Sequence, residues 1–128
     1  MRMLLAALCL LALPARAEEG GAPQFMPQDD GSLRISIPLT LPTGCHHAGA
    51  AQPGAPEGQA DIARTVAITI PITVEDGACS QELRDLRIDA TVPALPEDAF
   101  ALVVHELWPD GAGGQRIRAT AHPLPARE

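Results

Sequence analysis

Strict alternation of apolar and polar residues marks two segments of the chain. In residues 33–41, LRISIPLTL, every odd position is Leu or Ile and every even position is Arg, Ser, Pro or Thr. Residues 65–74, TVAITIPITV, repeat the pattern, with Val or Ile at every even position. A period of two is typical of a β-strand with one buried face. We therefore predict two half-buried strands, and because proline cannot donate to a strand ladder, Pro38 and Pro71 predict an edge or a bulge in each.

Weaker signals of the same kind follow along the chain. Residues 86–92 alternate less strictly, and residues 100–108 and 115–122 flank the turn-rich sequence PDGAGG, a pattern that favours a β-hairpin. No segment has a convincing helical period, with at most a turn or two over 80–87. The pattern predicts an all-β protein, a small antiparallel β-sandwich of immunoglobulin-like architecture with about six strands and one disulfide.

The last hairpin predicts a surface of mixed character. If Trp108 lies opposite Gln115, the outer face of the hairpin carries a cationic and partly apolar group of side chains that we call the docking strip: Val103, His105, Leu107, Arg116 and Arg118. The simpler interpretation is an ordinary solvated sheet face. The functional interpretation is a surface that binds an acidic protein partner, because Arg and apolar side chains are favoured at interfaces. The same register turns Glu106 inward opposite Ile117, which would require a bulge.

The first seventeen residues have the pattern of a secretory signal. Arg2 precedes an apolar run over 4–13, and Ala15-Arg16-Ala17 is a small-x-small cleavage site. A run of about ten residues is half of what a membrane-spanning helix needs, so we expect no stable membrane insertion. The predicted organisation is a cleaved signal peptide at 1–17, a disordered segment at 18–31, a β-sandwich domain at 32–122 and a tail at 123–128 that is also expected to be disordered.

Composition narrows the partners and the location. The formal net charge is −7, and loss of Arg2 and Arg16 with the signal would change it to −9. An acidic chain repels nucleic acid and anionic lipid, so neither is expected as a partner. Lys, Asn and Tyr are absent, which fits a genome rich in G and C. Together with the signal, this predicts the periplasm or the exterior of a bacterium.

The cysteines and their neighbours allow two interpretations. Once Cys9 leaves with the signal, Cys45 and Cys79 remain as a pair in an oxidising compartment, which predicts a disulfide at the base of a hairpin. The alternative is a copper or zinc site that uses Cys45, His46 and His47, and it requires the disulfide to be open. On a strand the two histidines would point to opposite faces, so at most one could join a given ion.

Motifs for catalysis are missing from the sequence. No serine lies in a G-x-S-x-G elbow, the cysteines form no C-x-x-C pair, and the paired acids fall in predicted turns. We expect no catalysis and no cofactor. The sequence therefore predicts a small periplasmic or secreted binding or accessory module, and the alternative function is periplasmic handling of copper or zinc.

Overall fold

The computed structural model describes residues 21–93 and 95–125, and its regular structure there is entirely β. The eight strands are β1 (Gln24–Pro27), β2 (Leu33–Leu41), β3 (His46–Ala48), β4 (Gln52–Pro53), β5 (Thr65–Val74), β6 (Arg84–Val92), β7 (Ala101–Pro109) and β8 (Gln115–Pro123). The predicted all-β class is confirmed. The predicted signal peptide at 1–17 lies outside the described residues. In the described ranges no helix is long and apolar enough to cross a bilayer.

The strands form two sheets. The smaller has the order β1-β2-β6, and the larger has the order β3-β5-β7-β8 with β4 beside β5. Neighbouring strands are antiparallel except for β5 and β7, which run parallel. An antiparallel arrangement throughout was expected, and this pair differs because the chain leaves β5, adds β6 to the smaller sheet and returns in its original direction as β7.

One apolar core draws side chains from both sheets. The odd-numbered residues of β2 are at most 5% exposed, and Ile68, Ile70 and Leu102 are fully buried. The two alternating segments therefore have the predicted inner faces. The burial departs from strict alternation at the end of β5, where Val74 is 44% exposed, and on the opposite faces of the two strands, where Ser36 and Thr69 are buried. Burial of each large aliphatic side chain contributes about 1.5 to 3 kcal/mol, so this core is the main source of stability.

Each strand proline lies where its missing amide is tolerated. Pro38 follows the part of β2 that β1 covers, because β1 pairs only with residues 33–36. Pro71 lies in an interior strand, but β3 pairs with residues 72–74 of β5 and β4 with residues 68–69, so neither strand lies directly beside Pro71. A Cβ atom on Gly49 would lie 2.8 Å from the Pro71 ring, so only glycine fits beside it. The predicted edge at Pro38 and interruption at Pro71 are both present.

Two segments expected to lack structure are partly ordered. The segment 18–31 was predicted to be disordered, yet residues 24–27 form β1 and Phe25 packs against the core. The tail after Pro123 also contributes, since Leu124 packs on the core and its amide donates to the carbonyl of Phe100 at 3.0 Å. Local composition does not reveal these contacts, because β1 forms by pairing with an edge of β2 that exists only in the folded protein.

The register of the last hairpin differs by one residue from the expected one. Pro109, not Trp108, lies opposite Gln115, which leaves a five-residue loop. The amide of Asp110 donates to the carbonyl of Gly114 at 3.1 Å, and the Asp110 carboxylate accepts the amides of Ala112 and Gly114. Both hydrogen bonds lower the pKa of Asp110. Gly111 and Gly113 take positive φ values that glycine adopts readily.

A shift of one residue exchanges the two faces of a strand, so every side chain of β8 lies on the face opposite to the predicted one.

Candidate functional site

The cysteine pair forms the predicted disulfide. Cys45 is bonded to Cys79 with a Cα–Cα distance of 5.4 Å. Cys45 directly precedes β3, which pairs antiparallel with the end of β5, and the Glu75 amide donates to the Cys45 carbonyl at 2.9 Å. The bond therefore closes the base of the β3–β5 hairpin, as expected from the sequence.

The histidines beside Cys45 do not form a metal site with it. His46 faces inward, where its ring lies 5.8 Å from the ring of Trp108 and its Nδ1 lies 2.7 Å from Thr43 Oγ1. His47 faces outward, with Nε2 3.4 Å from a Glu75 oxygen. Cys45 is occupied by its disulfide. Across residues 21–93 and 95–125, no three His, Cys, Asp or Glu side chains cluster closely enough to hold a metal ion.

The docking strip predicted from the sequence is not a single surface. Val103 and His105 are buried on the outer face of β7, and Leu107 on the same face is half-buried. Arg116 and Arg118 lie directly across from Trp108 and Glu106, which belong to the other face of the hairpin. The expected combination of the five residues is wrong, because it depended on the register that the Asp110 loop shifts by one residue.

His105 is a polar group in apolar surroundings. It is 6% exposed, and its paired neighbours on β5 and β8 are Thr69 and Ala119. Its buried Nδ1 has no hydrogen-bond partner among the described residues. Burial lowers the pKa of His105, because the charged imidazolium loses hydration. The neutral ring is therefore the form that the fold favours.

We expect this burial to make the protein less stable in mild acid. Because the pKa of His105 is lower in the folded protein, the unfolded chain takes up a proton first as the pH falls below about 6.5. Stability is therefore lost as the pH falls from the unfolded pKa through the folded one. The free energy of unfolding, measured by denaturant titration at pH 7.5 and pH 5, should fall more in the wild type than in His105→Leu. Equal decreases would contradict the assignment to His105.

The inner side of the last hairpin presents a polar and cationic surface, which we call the hairpin face: Glu106, Trp108, Arg116, Arg118, Thr120 and His122. The indole Nε1 of Trp108 donates to Glu106 at 2.9 Å, and this bond holds both side chains along β7. All of β8 is exposed except for the half-buried His122. Two recesses adjoin the surface, one of about 430 Å³ lined by Trp108, Arg116, Ile117 and Arg118 and one of about 240 Å³ towards β2.

None of the described residues covers the hairpin face, because the two sheets differ in width. The larger sheet continues past β7 to β8, and β7 is the only described strand with which β8 pairs. The smaller sheet ends at β1, which has only four residues. Leu102 and Val104 of β7 therefore lie in the core, while Arg116, Arg118 and Thr120 of β8, on the same face, extend beyond it into solvent.

Neither arginine of β8 forms an ion pair with a residue that the structure describes, although Glu106 lies directly opposite Arg118. In the part of the chain that the structure describes, ion pairs join Arg34 to Asp89 and Arg64 to Asp98, but neither Arg116 nor Arg118 has an acidic partner within 4.0 Å. Arg116 acts only at longer range, where its charge helps to lower the pKa of Asp110. β8 has no acidic residue, so the strand is a cationic strip on a protein of net charge −7.

The sequence predicts a shared face for Arg116 and Arg118, but it places Trp108 on the opposite face of the hairpin, whereas in the structure all three share one face. The loop sequence could have indicated the correct register. An Asp followed by a glycine-rich stretch is typical of a tight connection, and the length of that connection sets the register of the two strands. No family model, curated protein or solved structure matches this chain.

Proposed function

We propose that this protein is a non-catalytic binding or accessory module that binds an acidic protein partner through the hairpin face. The observation that carries this proposal is the position of Arg116 and Arg118. Both cations lack an ion pair within the described ranges and lie beside a half-buried tryptophan on a face that the smaller sheet leaves open. An exposed cationic pair on an acidic chain is suited to bind negative charge.

The composition of the hairpin face supports a protein partner. Trp and Arg are enriched among the residues that dominate binding energy at protein interfaces. Trp108 is held by its bond to Glu106, so little side-chain entropy remains to be lost when it is covered. The recess of about 430 Å³ beside it offers space for an anchoring side chain of the partner.

The proposed location is the periplasm or the exterior of a bacterium. Disulfides persist in oxidising compartments and are rare in the cytosol, so the Cys45–Cys79 bond supports export. The signal predicted at 1–17 is consistent with this location. We also propose an immunoglobulin-like β-sandwich as the architecture, supported by one apolar core shared by two sheets.

We expect Arg116→Gln with Arg118→Gln to reduce recovery of the partner at least about tenfold. Each good charge-assisted contact is worth about 1.5 kcal/mol or more, which corresponds to about a tenfold change in affinity. The measurement is affinity purification of the tagged chain from its own organism after cross-linking, with the recovered protein identified and its net charge noted. The free energy of unfolding should change by less than about 0.5 kcal/mol, because both sites are exposed.

The matched control is Gln59→Glu with Gln81→Glu. It changes the net charge by the same amount at two exposed positions away from the hairpin face, so it should leave recovery unchanged. If both double variants lose the partner equally, the hairpin face is not the binding surface. Recovery of a basic partner would contradict the proposed chemistry.

A further inference from the structure

We infer that the acidic partner binds by strand addition, as an extended segment that pairs with the free edge of β8 and places alternate carboxylates over Arg116 and Arg118. The inference rests on the proposed function and adds to it the form of the ligand. It identifies the ligand class as an extended peptide with an acid at every second residue.

The backbone of β8 has a defined set of groups at its free edge. Hydrogen bonds from Asp110 to Gly114 and from Leu124 to Phe100 bracket the β7–β8 ladder at its two ends. Directly opposed pairs in an antiparallel ladder alternate between bonded and non-bonded. Both end pairs are bonded, so every second pair between them is bonded as well. The backbone amides and carbonyls that point to β7 are therefore those of Arg116, Arg118, Thr120 and His122. The amides and carbonyls of Ile117, Ala119 and Ala121 therefore point to the free edge.

The side chains beside that edge match an alternating ligand. Arg116 and Arg118 lie on one face and are about 6.6 Å apart along the strand. Ile117, Ala119 and Ala121 lie on the other face and are small or apolar. Side chains directly across an antiparallel pair are about 4.5 to 5.5 Å apart, within reach of an ion pair with arginine. A paired segment would thus present acids to one face and small residues to the other.

Other sheet edges lack this combination. β1, β3 and β4 have four residues or fewer. β6 is as long as β8, but it carries two acids as well as two arginines, and all four side chains are hydrogen-bonded: Asp89 to Arg34, Asp85 to Thr40, Arg87 to Ser36 and Arg84 to the His46 carbonyl. Long unprotected edges are templates for pairing with another chain. Of the edge strands that the structure describes, β8 combines length and exposure with two arginines whose side chains have no hydrogen-bond or ion-pair partner among the described residues.

A second copy of this chain is a poorer occupant of the edge. Symmetric antiparallel pairing of two β8 strands about Ala119 would bring Arg118 of each copy into diagonal proximity. Each copy also has a net charge of −7. Both features oppose association between copies, whereas an acidic segment has charge complementary to β8.

The test uses the intact chain and a synthetic peptide, ETETETETE. Trp108 is the only tryptophan, so its fluorescence reports binding at the hairpin face. We expect saturable binding that weakens as salt is added, and at least about tenfold weaker binding of EEEEETTTT, which has the same composition without the alternation. Two further peptides carry N-methyl groups either on the glutamates or on the threonines. One pattern should abolish binding, because a paired strand uses every second amide, and the other should bind nearly as well as the parent.

The protein variant is Ala119→Pro, compared with the wild type. Its amide points to the free edge, where edge strands tolerate proline, so the melting temperature should stay close to that of the wild type while peptide binding is lost.

Equal binding of the two N-methylated peptides would overturn strand addition even if Ala119→Pro fails to fold. Dimerisation of the free protein that the peptide reverses would assign the edge to a second copy. If strand addition fails while Arg116→Gln with Arg118→Gln still loses the native partner, the proposed function stands and only the binding mode is wrong.

Discussion

Replacing Cys45 and Cys79 by Ala is expected to lower the free energy of unfolding by about 2 to 5 kcal/mol. The bond joins residues 34 positions apart, so without it the unfolded chain regains the conformations that this closed loop excludes. A small domain has a total stability of about 5 to 15 kcal/mol, so this loss is a large share. Denaturant titration of the unreduced wild type and the double variant measures it.

Two comparisons isolate the contribution of the disulfide. The wild type under reductant should have nearly the same free energy of unfolding as the double variant. Ser80→Ala, at an exposed position next to Cys79, should change the free energy of unfolding of the unreduced protein little. Two free thiols in the unreduced protein, counted by mass spectrometry, would exclude the bond. A loss below about 1 kcal/mol would show that it contributes little to the fold.

Replacing Ile68 by Ala is expected to lower the free energy of unfolding by about 2 to 5 kcal/mol. Ile117→Ala should lower it by less than about 1 kcal/mol. Ile68 is fully buried in the shared core, so its loss leaves a cavity. Ile117 is 39% exposed and lies outside the core cluster. Both variants thus replace isoleucine by alanine, one at a buried position and one at an exposed position. Denaturant titration measures the loss in the free energy of unfolding for each.

The Ile117 result also tests the register of the last hairpin. With Trp108 opposite Gln115, Ile117 would face the core and its replacement would cost as much as that of Ile68. With Pro109 opposite Gln115, as in the structure, Ile117 faces away from the core. Similar costs for the two variants would contradict this register and would also remove Arg116 and Arg118 from the hairpin face.

The two arginines proposed to bind the partner lie outside the parts of the fold that stabilise it. The core and the disulfide use β2, β5, β6, β7 and the base of the β3–β5 hairpin, and Trp108 packs against that core, whereas Arg116 and Arg118 lie on the exposed strand β8. Substitutions at Arg116 and Arg118 are therefore expected to change binding without changing the fold. This separation makes the binding experiments interpretable.

Local patterns alone predicted the strands with one buried face and the disulfide. Alternation over 33–41 and 65–74 determines which side chains can share a face, because successive residues of a strand point to opposite sides. Cys45 and Cys79 remain as a pair, and a hairpin brings its two ends together, so their bond also follows from the sequence. These inferences need no knowledge of which strand lies beside which.

The partners of the strands were decided by the tertiary structure. β1 forms because an edge of β2 is open to it, although its own residues have loop composition. The parallel pairing of β5 with β7 arises because β6 joins the other sheet. Such pairings join residues distant in the chain, and alternation within one strand carries no information about its neighbour.

The sequence by itself determined that Arg116 and Arg118 share a face, since they are two residues apart on one strand. Which face they share depended on the tertiary structure, through the hydrogen bonds of Asp110 in a five-residue loop. A loop of one residue more, with Trp108 opposite Gln115, would have placed Arg116 opposite the half-buried Leu107 and Arg118 opposite the buried His105. Because the side-chain period of a strand is two, one residue in a loop decides whether these cations lie beside Trp108 on an open surface or on the opposite side of the sheet.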